Sequence, residues 1–180
     1  PNELEDIRML RPRGPRRIEH NLSDAQLFDK LHGAWMGRAA GCVLGIPSEG
    51  CSKREIRNIC RAYKVPFPLR DYWPVAPKGR VFDVRQYGTT PIRMFLKPNL
   101  RYVGADDDMA YTLLGLLVIE EYGSDFTSDD VGKAWVKYLP RACTAEAVAL
   151  QNLRRGMTPP ETAVTNNPYT DWIGADIRSD

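Results

Sequence analysis

The chain has 180 residues, 25 Lys+Arg against 23 Asp+Glu, 43% hydrophobic and 27% charged residues, a profile that excludes a fibrous or disordered segment and fits one globular domain. At this size burial alone supports a core. Cys42, Cys51, Cys60 and Cys143 are too scattered for a disulfide framework, and with His20 and His32 they form no zinc motif. No apolar run reaches the roughly 18 residues of a membrane span and no secretory signal pattern is present, so a reducing, cytoplasmic setting is expected.

The chain opens with Arg8, Arg11, Arg13, Arg16 and Arg17, broken by prolines and preceded by Glu3, Glu5 and Asp6. Without interleaved aromatics this reads as a solvated, flexible arm over residues 1–22, and a net charge of +2 gives no reason to expect a nucleic-acid partner. Ser23 and Gln26 have capping-box spacing, and Leu27, Leu31, Ala34 and Trp35 then repeat at helical intervals, predicting a helix with one stripe facing a core. Ser52 and Glu55 repeat the cap, and Ile56, Ile59, Cys60 and Tyr63 predict a second helix.

From Lys64 to Gly104 recurrent prolines preclude a long helix. Arg80–Phe82 and Ile92–Leu96 read as short extended pieces within a long loop of the kind that covers a site. Asp106 to Tyr122 is apolar nearly all round and closes on Gly123, so it reads as the central helix. Amphipathic helices follow from Thr127 or Ser128 to Pro140, burying Val131, Ala134, Trp135 and Tyr138, and from about Thr144 to Arg155, ending at Gly156. Another helical pattern begins at Asp171 and is uncapped at Asp180, suggesting a continuation beyond it. The expected class is all-α.

Two features point to chemistry. Asp106, Asp107 and Asp108 stand together at a helix start, where single acids gain about 0.3–1 kcal/mol from the dipole. Three adjacent acids repel one another, and a hard divalent cation such as Mg²⁺, Mn²⁺ or Ca²⁺ is the simplest compensation beyond capping. Gly33, Gly37, Gly41 and Gly45 recur every four residues on a drifting strip where a helix or ligand can approach closely. Ile46-Pro47-Ser48 then presents Glu49 on a loop. The cysteines read as small buried hydrophobes, and His32 as a packing or surface residue.

Taken together, the Gly33/Gly37/Gly41/Gly45-x-Pro47-x-Glu49 pattern followed by an Asp pair opening a long apolar helix resembles the ADP-ribosylglycohydrolase family, related to the dinitrogenase-reductase-activating glycohydrolase. The run Asn166-Asn167-Pro168-Tyr169-Thr170-Asp171-Trp172-Ile173-Gly174-Ala175 resembles a branch of it, so the likeness covers about Asp24 to Asp180, with residues 23–180 as the N-terminal portion of such a domain. The resemblance implies an all-α multi-helix fold around two Mg²⁺ ions. It also implies hydrolysis of the glycosidic bond between ADP-ribose and a protein side chain or small acceptor.

By the same resemblance, Asp106 and Asp107 are metal ligands, and Asp108 stands in for the family's threonine, whose position holds Ala105. Glu49 lies near substrate and metal as a gate or base, with Asp107 also catalytic. Tyr169 and Trp172 are expected either to stack on an adenine or line its pocket, or to serve as core or lid packing, the commoner role of aromatics this near a turn. Cys42 stands where the family usually has Asp. A second acidic metal motif and a later glycine-rich loop are not found before Asp180, which implies weak metal binding and impaired activity. The alternatives are a non-catalytic ADP-ribose-binding module and a helical protein-interaction domain.

Overall fold

The structure, a computed structural model, describes residues 3–15, 21–75, 78–79, 81–84, 86–87, 90–104 and 106–178. Arg16, Arg17, Arg80 and Ala105 lie outside the described residues. The chain divides into two compact units, Pro1–Trp35 and Met36–Asp180, and it is predominantly helical, as the all-α expectation requires. Among the described residues no helix is long and apolar enough to cross a membrane.

In the first unit, α1 (Leu4–Met9) forms where an arm was expected and buries none of its residues. Its Arg8 pairs with Glu5 at 2.6 Å on the exposed surface. The long helix α2 (Asp24–Gly45) starts here. The Ser23 hydroxyl accepts the Gln26 N–H at 3.3 Å, and the Gln26 side chain accepts the Ser23 N–H at 2.9 Å. The predicted core stripe is not buried: Leu27 and Leu31 are exposed, with Ala34, and Trp35 is half-buried. Helical spacing gathers apolar side chains on one face, but only a partner buries them, and α1 offers no buried surface.

In the second unit, α3 (Lys53–Tyr63) carries the predicted capping box of Ser52 and Glu55 and ends at Lys64 in the left-handed region, φ 56°. Its Cys60 and Tyr63 enter a core with Cys42, Ile46, Trp73, Phe82, Ile92, Phe95 and Leu96, and Ile56 and Ile59 pack against it. The Pro-rich segment supplies five of those core side chains. Trp73, Phe82 and Ile92 are fully buried. The Phe82 N–H donates to the Tyr63 hydroxyl at 3.2 Å, and the Trp73 ring meets Phe82 edge-on at 4.9 Å.

The two predicted extended pieces are helical turns, α4 (Val81–Val84) and a 3₁₀ turn at Ile92–Phe95. The reason is visible in the sequence: Ile92, Phe95 and Leu96 are spaced i, i+3, i+4, a helical face rather than an alternation. The extended pair lies between them, β1 (Gln86–Tyr87) antiparallel to β2 (Thr90–Pro91), with Gln86 opposite Pro91 and Tyr87 opposite Thr90.

Helix α5 (Asp107–Tyr122) has the predicted span and closes on Gly123, φ 77°. It is not buried all round. Tyr111, Leu114 and Val118 form its buried stripe, whereas Leu113, Leu116 and Ile119 are 49%, 54% and 47% exposed. Its buried stripe meets α6 (Ser128–Tyr138) and the 3₁₀ turn Ile173–Arg178, and α7 (Thr144–Arg154) packs on α6. Together they build a second core of Tyr111, Leu114, Val118, Ala134, Leu139 and Leu150. Thr127 and Asp130 cap α6 reciprocally. A further helix, α8 (Glu161–Val164), follows the proline pair and packs on α7; it is pinned by the buried Asn152, whose side-chain amide donates to the Thr162 and Thr165 carbonyls at 3.0 and 2.9 Å.

Candidate functional site

The mouth of α5 is where the charged residues converge. Asp106 is the N-cap, with extended backbone, and its carboxylate accepts the Asp107 N–H at 3.0 Å. Asp107 in turn accepts the Asp108 N–H at 3.1 Å. These bonds satisfy donors that a helix start always leaves open. The last turns of α2 come to the same place, with Arg38 and Cys42 one helical turn apart on one face. Arg38 Nη1 donates to the Asp108 carbonyl at 3.0 Å, and the Thr112 hydroxyl donates to the same carbonyl at 3.3 Å. The Cys42 thiol donates to Asp106 Oδ2 at 3.6 Å.

The electrostatics follow from this crowding. Burial, then the charge of Asp106 and, more weakly, those of Asp108 and Asp107, pushes the Cys42 thiol up to about 12, so it is neutral. Asp107 rises from the ordinary 3.8 to about 6 through desolvation, the hydrogen bond and charge of Asp106, and the charge of Asp108. Its side chain keeps an exposed outer face, so water screens part of that effect.

One ligand atom each from Cys42, Asp106 and Asp108 lie within 4.8 Å of one another. Asp107 and Glu49 belong to no such trio among the described residues. Asp106 and Asp108 are half-buried, leaving room for water around a cation. Two carboxylates with open positions fit one hard divalent ion that retains several waters, and the described residues offer no comparable cage for a second. Ala105, at the family's threonine position, lies outside the described residues.

Glu49 is exposed on the turn after the 3₁₀ segment Ile46–Ser48, and its N–H donates to the Ile46 carbonyl at 3.4 Å. Directly beyond it, Gly50 and Cys51 line an open cleft of about 390 Å³ with Glu55, Asn58, Ile59 and Val81. Tyr169 and Trp172 come together edge-to-face at 4.8 Å. Their turn is set by Asn167, whose buried amide donates to the Ala145 and Ala163 carbonyls and whose Oδ1 accepts the Tyr169 N–H at 3.1 Å. Trp172 is 59% exposed. No hydrogen bond or ring contact joins either aromatic to the aspartates among the described residues.

The four-spaced glycines do not mark a close approach. A Cβ at Gly33, Gly37, Gly41 or Gly45 would meet nothing within 4 Å. What their helix contributes is Arg38 and Cys42. Arg38 is not marked by any motif in the sequence, and Cys42 stands out there only as a departure from the family's Asp; the signal for the pair is an arginine and a cysteine at i, i+4 between the glycines.

A helical chain with carboxylates gathered at one helix mouth, joined there by a second helix, defines a helical domain with a candidate cation site. Residues 23–179 match the ADP-ribosylglycohydrolase family, and the chain belongs to that family. Its general class is therefore the ADP-ribosylglycohydrolase type of hydrolase. No curated protein and no solved structure matches the chain.

Proposed function

We propose that the chain is a magnesium-dependent hydrolase of ADP-ribosyl glycosidic bonds, acting on an ADP-ribosylated protein or a small ADP-ribose derivative. The observation that carries this reading is the aspartate cluster at the mouth of α5 in a chain of this family. Asp106 and Asp108 would hold the cation, which when bound supplies positive charge for the ribose hydroxyls and a water. Asp107 accepts that water's proton, since burial first, and then the hydrogen bond and charges of the flanking carboxylates, favour its protonated form. Asp106 fixes the helix mouth and Cys42 fixes Asp106.

Glu49, at the edge of the open cleft, positions the substrate, and the exposed Trp172 against Tyr169 offers a face for adenine stacking. With a single carboxylate cluster among the described residues, the chain holds the ion weakly and turns over slowly. The test is release of ADP-ribose from an ADP-ribosylated protein and from a small ADP-ribosyl compound, with Mg²⁺ and with chelator. Metal-dependent release that Asp106→Asn and Asp108→Asn abolish supports the reading. ADP-ribose binding without any release in Mg²⁺ identifies a binding module instead.

A further inference from the structure

We infer that the outer face of α3 binds the phosphate backbone of duplex DNA, without regard to sequence, through Lys53, Arg54, Arg57, Arg61 and Lys64. The inference is independent of the metal site and starts from the distribution of charge. The net charge of +2 averages two unlike stretches: residues 50–104 carry twelve Lys and Arg against three acids, and residues 105–180 carry six against thirteen. A balance near zero thus hides a strongly basic stretch.

The fold turns that composition into a surface. Lys53, Arg54, Arg57 and Arg61 share one face of α3, Lys64 is its C-cap, and all five are exposed. The opposite face holds Ile56, Ile59, Cys60 and Tyr63 in or against the aromatic core, so it is not free to enter a lipid surface. Among the described residues none of the five cations forms an ion pair. Glu55, the one acid of the helix, is held in the capping box, its carboxylate accepting the Ser52 N–H at 2.7 Å. A merely solvated helix face mixes charge signs at i, i+3 and i, i+4, whereas Lys53 with Arg57, Arg54 with Arg57, and Arg57 with Arg61 set like charges at those spacings. Lys53 and Arg54 also stand in the first turn, where the helix dipole favours acids. The face works against its own helix, and an external polyanion relieves it.

From Lys53 to Lys64 the face runs about 16 Å, the length occupied by about five phosphates of one DNA strand. Arginine forks match phosphate oxygens, and the five side chains offer only donors, with no acceptor for a ribose 2′-hydroxyl. The stripe has no aromatic of its own, and the nearby Phe67 ring is stacked under the Arg57 guanidinium at 4.9 Å; this favours a duplex backbone over a single strand held by base stacking. In the acidic stretch, Asp130 and Glu121 are already paired with Lys133 and Lys137, which disfavours a second copy of this chain as the occupant.

The test is fluorescence anisotropy of a labelled, mixed-sequence DNA duplex titrated with the full chain across a series of NaCl concentrations. Chelator keeps the readout separate from the metal site. Binding should weaken with salt, log affinity falling against log salt with a slope of about −4, from four to five phosphate contacts at about −0.9 each. In the double variant Arg54→Gln, Arg61→Gln the slope should shrink by about 2 and affinity at low salt should fall at least about tenfold, with a melting temperature no lower than the parent's. Lys133→Gln on α6, and Arg11→Gln with Arg13→Gln near the N-terminus, should leave both quantities as they are. The inference is overturned by absence of duplex binding, by binding unchanged in the α3 double variant, or by loss confined to the Arg11→Gln, Arg13→Gln variant. Tighter binding to a single strand, an RNA duplex or phosphatidylserine vesicles than to the DNA duplex also overturns it. So does salt-sensitive self-association without DNA that the α3 double variant abolishes, which assigns the face to a second copy.

Discussion

Asp107→Asn separates the electrostatic account of the helix mouth from simple capping. In the metal-free protein Asp107 is held at about 6 against an ordinary 3.8. A carboxyl raised on folding contributes stability that is fully present below the unfolded value and is lost as pH rises through the folded one. The native state therefore carries a penalty at neutral pH. At about 1.4 kcal/mol per tenfold in proton affinity the bound is about 3 kcal/mol, and solvent screening at an exposed carboxylate reduces it to about 1 kcal/mol. Replacement by the neutral amide removes the penalty. In chelator near neutral pH, Asp107→Asn should melt about 2–4 °C above the parent. The gap should close as pH falls from above 6 to below 3.8. Differential scanning calorimetry across that range reads it directly. A variant no more stable than the parent at neutral pH, or a gap that does not depend on pH, refutes the argument that burial and the neighbouring carboxylates together disfavour a charged Asp107.

Asp106→Asn retains a good N-cap, so its stability in chelator should stay within about 0.5 kcal/mol of the parent, while the rise in melting temperature that Mg²⁺ gives the parent should vanish. Gly37→Ala, on an open helical face, should stabilise by about 0.5–1 kcal/mol, measured by urea denaturation. Gly132→Ala should cost about 1–3 kcal/mol in the same assay, because its Cβ would lie 2.8 Å from Leu153 Cδ2 between α6 and α7. Asn152→Ala, which leaves the Thr162 and Thr165 carbonyls without their buried donor, should cost about 2–3 kcal/mol and raise hydrogen exchange first in α8.

The helices were legible wherever a cap and a periodic stripe coincided. Ser52 with Glu55, and Thr127 near the start of α6, fixed those starts before any tertiary information was needed. Burial was less legible. Leu27 and Leu31 in α2, and Leu113, Leu116 and Ile119 in α5, have the chemistry of core residues and are exposed. Periodicity reports which side chains share a face, and only the placement of other elements decides whether that face is covered.

The Pro-rich segment misled for the opposite reason. Its prolines removed any long-range period, yet Trp73, Phe82 and Ile92 are the most deeply buried large side chains in the second unit. The glycines carry the same lesson. Steric demand falls on Gly132 and on Gly104, where a Cβ would meet the Phe95 ring at 2.9 Å, and not on the repeating series that sequence alone makes conspicuous. At the site, the aspartate triplet was readable because three like charges in a row are costly. Arg38 was not, since its meaning comes from a helix 70 residues away in sequence, and Cys42 stood out only through the family resemblance, not through its bond to Asp106.

Helix α5 serves two masters: Met109, in its first turn, packs against the aromatic core, and Tyr111, Leu114 and Val118 belong to the other one. The aspartates ride on the segment where those allegiances change. Ion affinity there should consequently act as a strain gauge for the whole second unit, responding to substitutions at remote positions such as Ala134 or Leu150 that touch no ligand. Conversely, an ion seated at the helix mouth would tighten both cores at once, so that occupancy and rigidity rise together.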